Sequence, residues 1–287
     1  MIKSIIVQRL LIFFIGIPAI ASMILFLPQY NHLVLNIFVI ALSSVGAVEF
    51  ALMLRARGFP VYIGEAAILG SLSTVAATFI VSFHTNNQIT QFLFILGAAW
   101  VLISEIFYHK SRNDFSLVLN RLTASFSVMI YPGLFLSWVI TMSALEHSKI
   151  VILAFVLTVM ANDSLAWLTG MLFGKNNRGI FSVSPNKSIT GYIGGMAASV
   201  GICIIMAYTF PEAFIPDQIA KLPSAILLGF FSGLTVILGD LAESAIKRSS
   251  GFKDSGRIFP GRGGVLDSTD SIALTAPLFY VLYRFFF

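Results

Sequence analysis

The chain has 287 residues, of which 57% are hydrophobic and only 11% charged, with a mean hydropathy of +0.90. Soluble domains carry about 25% charged residues, so most of this surface cannot face water. Disordered, collagenous, coiled-coil and disulfide-scaffold classes are excluded by the same balance. The single cysteine, Cys203, allows no internal disulfide and reads as a buried, inert thiol in an apolar run.

A membrane-spanning helix needs about 20 apolar residues, and nine windows approach or exceed that length. In chain order they are Leu10–Leu27, Leu33–Leu54, Val61–Phe83, Ile89–Tyr108, Leu122–Met142, Ile150–Phe173, Tyr192–Phe210, Ser224–Ala245 and Ile272–Phe287. Pro, Gly, Asn and charged clusters such as Pro28–His32, Arg55–Pro60 and His109–Asp114 separate them. Pro132 interrupts the fifth window, and Asp240 and Glu243 the eighth. Ala19-Ile20-Ala21 after the basic Lys3 and Arg9 looks like a signal peptidase site, but we expect this stretch to be kept as the first span. The fold class is therefore all-α, a polytopic membrane protein of about nine helices. It divides into an N-terminal region 1–145 of five spans and a C-terminal region 146–287 with loops at 174–190 and 246–271.

Lys and Arg set the orientation, because basic residues accumulate in cytoplasmic loops. Under strict alternation, fifteen of the eighteen fall on one side. They are Lys3, Arg9, Arg55, Arg57, Lys110, Arg112, Arg121, Lys175, Arg178, Lys187, Lys247, Arg248, Lys253, Arg257 and Arg262. Lys149 and Lys221 fall on the other, and Arg284 sits near the end of the last span. The N-terminus is expected in the cytoplasm and the C-terminus outside. The net charge of +5 is thus a topology signal rather than a nucleic-acid surface.

Charged groups in hydrocarbon cost roughly 3 kcal/mol or more. The chain nevertheless keeps Glu49, Glu65, Glu105, Asp163, Asp240 and Glu243 within or beside spans. For the three early glutamates an interfacial position or a buried ion pair is the simpler reading. Asp163 stands about ten residues, roughly 15 Å, from the cytoplasmic end of its span. It and Asp240 suggest a polar cavity sunk into the bilayer. Asp240, Glu243 and Lys247 are spaced three and four apart, so they share one helix face.

From Ser244 to Ser271 the apolar periodicity stops, and basic residues, Asp and Gly crowd together. Backbone N–H groups at Gly261, Gly263 and Gly264 beside Arg and Lys suit phosphate oxygens. The carboxylates of Asp240 and Asp267 are hard oxygen ligands suited to Mg2+, which also binds substrate phosphates. Phosphoryl or nucleotidyl transfer beside the membrane follows from that chemistry; cytoplasmic loops of transporters share part of it.

The same segment resembles the C-terminal motif of the phosphatidate cytidylyltransferases (CDP-diacylglycerol synthases). Matching residues stand at Ser244, Ile246, Lys247, Arg248, Lys253, Asp254, Gly256, Phe259, Pro260, Gly263, Gly264, Val265, Asp267, Thr269 and Asp270. Two positions depart: Arg262 replaces the family's His, and Ser268 its Arg. A second block, Asp163-Ser164-Leu165-Ala166-Trp167 with Gly170, Phe173, Gly174 and Lys175, is similar to another family segment. So is Ser184-Pro185-Asn186-Lys187-Ser188 with Gly191, Gly194 and Gly195; here Trp167 and Thr190 replace the family's Tyr and Glu. The resemblance covers roughly residues 162–271.

The resemblance implies transfer of CMP from CTP to phosphatidic acid in the lipid bilayer, with Mg2+, alone or with a second metal ion. It implies a homodimer in the inner (plasma) membrane whose site faces the cytoplasm. Asp240 and Asp267 would share one metal centre, with Glu243 and Asp270 as further ligands. Lys247, Arg248 and Asp163 would serve the reaction itself. Ser184, Lys187, Lys253, Asp254, Arg257, Arg262, Gly263 and Gly264 would bind substrate. Arg262 would bind the phosphate that the family's Arg at position 268 otherwise holds; the alternatives are that it meets only the anionic headgroup layer or that the contact is lost and the enzyme impaired. Rival readings are a secondary transporter of an anionic solute and a related lipid or isoprenoid phosphotransferase.

Overall fold

The computed structural model describes residues 16–86, 88–108, 116–217, 219–259 and 263–287. Among these, every regular element is helical. The helices are α1 (Ile17–Phe26), α2 (Gln29–Ala56), α3 (Ile63–Phe83), α4 (Gln88–Tyr108), α5 (Val118–Val128), α6 (Phe135–Met142), α7 (Ser148–Phe173), α8 (Ile189–Thr209), α9 (Lys221–Ser250) and α10 (Leu266–Phe286). A π-helical turn, Met129–Leu134, joins α5 to α6. Each of the nine apolar windows overlaps one of these helices or, for the fifth, the α5–α6 run; residues 10–15 of the first window lie outside the described residues. Six are long and apolar enough to cross a membrane: α2, α3, the α5–α6 run, α7, α8 and α9. Large apolar side chains such as Phe26, Ile68, Phe92, Trp167 and Phe173 remain exposed, which suits lipid and would promote aggregation in water. This is a membrane protein.

Two helix ends differ from the sequence expectation. The α9 helix runs on to Ser250, and α10 begins at Leu266, so the expected loop 246–271 shortens to residues 251–265. Periodicity misplaced both ends because polar residues there face protein instead of interrupting the helix. Glu243, Ser250, Thr269, Asp270 and Ser271 are all buried.

The chain forms two compact units. The first comprises Met1–Ser143 and Ser249–Thr269, the second Ala144–Arg248 and Asp270–Phe287. The segment 249–269 thus groups with the N-terminal helices, whereas the sequence division placed it with the C-terminal region.

In the first unit α2 lies against α3. At Gly70 an added Cβ would overlap that of Ala47, so glycine lets the two backbones approach. The Ser43 hydroxyl sits 2.8 Å from the Gly70 carbonyl and 2.6 Å from that of Pro132. It thereby links α2, α3 and the π turn. Proline cannot donate the backbone bond of a regular helix, and the widened turn around Pro132 follows. Glu65 accepts from Arg121 Nη2 at 2.8 Å and from Trp100 Nε1 at 3.1 Å. The Arg121 guanidinium also lies over the Tyr62 ring, 4.4 Å from its centroid. The ion-pair reading therefore holds for Glu65. The Glu105 side chain lies outside the described residues, as do Lys3, Arg9, Lys110 and Arg112.

In the second unit α7 packs along α8. Gly194 and Gly195 face Thr169 and Asn162, where a Cβ would collide; close helix packing accounts for this glycine pair. Asn162 donates to Ser199 Oγ at 2.8 Å and to the Gly233 carbonyl at 3.4 Å, tying α7 to α8 and α9. Cys203 is 1% exposed, its sulfur 3.5 Å from Thr158 Oγ1. Phe155 and Phe279 meet edge to face at 5.2 Å between centroids, joining α7 to α10.

At Gly229 an added Cβ would stand 2.5 Å from Val200 Cα and 2.8 Å from the Ser199 carbonyl oxygen. Gly229→Ala should therefore destabilise the fold by about 1–3 kcal/mol, the usual cost of overpacking, read as a lower melting temperature in detergent. Gly201, with nothing within 4 Å of its added Cβ, is the matched control, and Gly201→Ala should melt no lower than the parent chain.

Candidate active site

Three acids of the second unit, Asp163, Asp240 and Glu243, act electrostatically on a fourth, Asp270. The α9 backbone approaches α10 closely at Gly239, where a Cβ would stand 2.8 Å from the Asp270 carbonyl oxygen. That contact sets Asp240 beside the start of α10. Asp270 is buried and lies in the electrostatic field of Asp240, Glu243 and Asp163. Asp163, half-buried on α7, contributes to that field. The neighbours that could serve it as donors have other partners: Asn162 bonds Ser199 and Gly233, and Thr169 bonds the carbonyls of Leu165 and Thr190.

Two lysines answer these acids. Lys187 forms an ion pair with Asp240, whose other oxygen receives Ser244 Oγ at 3.4 Å. One turn on, Lys247 pairs with the buried Glu243. The helix face Asp240–Glu243–Lys247 is thus only partly a stripe of its own, since Asp240 takes its cation from the loop before α8. That loop is shaped by its own backbone bonds: Gly179 N–H donates to Lys187 O at 3.2 Å, and Lys187 N–H to Ser184 O at 3.2 Å. Ser184 and Pro185 form the turn, and Ser188 caps α8 by accepting from Gly191 N at 3.1 Å. Arg248 is exposed at the end of α9.

The glycine-rich segment belongs to the first unit. Phe259 and Gly263 exchange backbone hydrogen bonds at 2.8 and 3.0 Å. Pro260, Gly261 and Arg262, including the expected compensating arginine, lie outside the described residues. Gly263 has φ +105°, a conformation that favours glycine. Asp267 Oδ2 accepts from Gly264 N at 2.7 Å, Ser255 N at 2.8 Å and Ser255 Oγ at 3.0 Å. The glycine amides expected to cradle a phosphate are therefore partly engaged: Gly264 N–H holds Asp267, and Gly263 N–H holds Phe259. Lys253, Asp254 and Arg257 are exposed, available to a polyphosphate from water. Ser268, at the other departure from the family motif, turns its hydroxyl back to the Gly264 carbonyl at 3.2 Å.

Sequence reasoning missed one residue here. Glu49, from α2, receives Val265 N, Leu266 N and Ser255 Oγ at 2.9–3.0 Å. Among the described residues it has no ion-pair partner. The sequence marked Glu49 as a charge within a span but not its partners, which lie more than 200 positions away.

Among the described residues, no three His, Cys, Asp or Glu converge as a ready metal cage. Mg2+ commonly takes one or two carboxylates plus waters and substrate phosphates. Asp240 and Glu243, each paired with a lysine, offer one or two hard carboxylates of the kind such an ion takes.

An all-helical membrane protein with buried carboxylates, paired lysines and a glycine-rich cationic loop has the chemistry of an enzyme acting on phosphate esters at a bilayer. The chain belongs to the cytidylyltransferase family, whose pattern it matches over residues 7–286. It is 34% identical to the phosphatidate cytidylyltransferase of Haemophilus influenzae, over 69% of this chain and 70% of that protein. Proteins of the same name from Staphylococcus aureus and Staphylococcus epidermidis are 32% and 28% identical, each over 93% of this chain and 96% of their own length.

Proposed function

We propose that this chain transfers CMP from CTP to phosphatidic acid, giving CDP-diacylglycerol and pyrophosphate. The observation that carries this reading is the motif from Ser244 to Asp270 at family spacing, in a chain similar over most of its length to proteins of that name. A phosphate oxygen of phosphatidic acid forms the new bond to the α-phosphorus of CTP, and the bond to the β-phosphate breaks. The nucleophile is already an anion, so no strong general base is required. The residues must instead neutralise charge and hold the two phosphates in line.

By resemblance we assign Asp240 and Asp267 as metal ligands, with Glu243 and Asp270 as further ones. Mg2+, alone or with a second ion, would supply Lewis-acid neutralisation of the triphosphate when bound. Lys187 and Lys247 hold the charge of Asp240 and Glu243 in its absence and can turn to phosphate oxygens once those acids are engaged. Arg248, Lys253, Arg257 and Arg262 attract the nucleotide from water. Ser184 and Asp254 lie on the same two loops. Gly263 and Gly264 shape the second, and Asp163 extends the acidic cavity. We further infer nine spans with a cytoplasmic N-terminus, the inner membrane as location and a homodimer as the assembly.

Radiolabelled CTP incubated with phosphatidic acid and the purified protein in detergent should give lipid-soluble label only when Mg2+ is present. No lipid product under any metal condition would sink this function.

A further inference from the structure

Glu49 stands about two turns from the end of the apolar helix α2, yet it is 5% exposed and ends in a carboxylate. Burying such a charge is costly unless donors surround it. Here Oε1 accepts from Val265 N at 3.0 Å, and Oε2 from Leu266 N at 2.9 Å and Ser255 Oγ at 2.9 Å. Leu266 is the first residue of α10, so the carboxylate caps the positive end of that helix from a different helix. The loop is shaped around it: a Cβ at Gly256 or Gly264 would overlap the Glu49 carboxylate.

Ser255 connects this anchor to Asp267. Its hydroxyl lies 2.9 Å from Glu49 Oε2 and 3.0 Å from Asp267 Oδ2, and it accepts from Asp267 N at 3.2 Å. A hydroxyl carries one hydrogen, so it can serve only one carboxylate at a time. The hydroxyl can point to Glu49 alone without leaving Asp267 Oδ2 unserved, because that oxygen also accepts from the Ser255 and Gly264 amides.

We propose that Glu49 is a positioning residue for cytidylyl transfer. It fixes Ser255, Val265 and Leu266 and, through Ser255, the direction in which Asp267 presents its carboxylate. The proposal rests on the assignment of Asp267 as a metal ligand. Partners that orient a metal ligand typically change affinity by roughly 10- to 100-fold when removed.

The test measures Mn2+ binding by electron paramagnetic resonance in detergent without substrates, beside the Mg2+ dependence of turnover and hydrogen exchange across residues 263–269. Glu49→Gln, Ser255→Ala, their double variant and Asp267→Asn are compared with the parent chain. Gln places an N–H2 group against backbone donors. Glu49→Gln should weaken Mn2+ binding by about tenfold or more, raise the Mg2+ needed for half-maximal rate and speed exchange at 263–269, with α8 unchanged. Ser255→Ala should move the same readouts in the same direction, and the double variant should be no worse than Glu49→Gln. If Glu49→Gln fails to fold, Ser255→Ala decides alone. Mn2+ binding within about twofold of the parent in the folded variants, while Asp267→Asn loses it, makes Glu49 a packing residue and overturns the proposal. Unchanged Mn2+ binding and turnover in Asp267→Asn instead removes the ligand assignment, and the proposal falls with it.

Discussion

Asp240→Asn is expected to lower CDP-diacylglycerol formation by at least about 100-fold, the scale on which a single charge-stabilising group acts in a dry site. Asn keeps the volume of Asp, and the backbone beside it is held by the approach of Gly239 to α10. Helix packing should therefore survive, and the melting temperature should stay within a few degrees of the parent. What is lost is the anion. Lys187 loses its partner, and the acid group of the second unit falls from four carboxylates to three. Labelled-CTP incorporation and thermal unfolding on the same preparation separate chemistry from folding. Normal turnover would show that Asp240 is not a ligand, and a collapsed melting curve would show that its charge serves the fold.

Gly264→Ala should be as severe by a different route. The added methyl would stand 2.6 Å from Glu49 Oε1 and overlap both Glu49 Oε2 and Ser255 Oγ. A flexible side chain can step aside from such a contact, but this carboxylate is fixed by donors from Val265, Leu266 and Ser255. The loop must give way instead, and with it the 2.7 Å bond from Gly264 N to Asp267. Overpacking costs about 1–3 kcal/mol, enough to displace a loop without unfolding the helices. The expected result is nearly complete loss of product, with faster hydrogen exchange at 263–269 and little change in α7 and α8. Retained activity would mean that the loop tolerates a different path.

These two sites differ in how far the sequence revealed them. Hydropathy located the helices, six of them long and apolar enough to cross a membrane, because a lipid-facing surface forces apolar residues to run in blocks as long as the bilayer is thick. The acids at 49, 65, 105, 163, 240 and 243 stood out for the opposite reason, as charges where hydrocarbon should be, and Asp270 stood out through the family motif. Pairing was not legible. Asp240 takes Lys187 rather than the lysine on its own helix, and Glu65 takes Arg121, 56 positions later. Glu49 is the extreme case. Two of its partners are backbone groups, which every residue has, and the third is a serine hydroxyl more than 200 positions away, so no residue type announced them. The ends of α9 and α10 failed for a related reason. Polar residues buried against protein break the hydrophobic period without breaking the helix.

The packing of Cys203 against Thr158 has a practical side. The chain's one thiol is sealed between α7 and α8, so the unaltered protein offers a silent background to water-soluble maleimides. A lone cysteine placed at the exposed Ser182, before α8, or at the exposed Glu212, after it, becomes an address readable from one face of the membrane only. Intact cells and inverted vesicles then assign inside and outside to the two ends of a single helix, with no native residue to remove first.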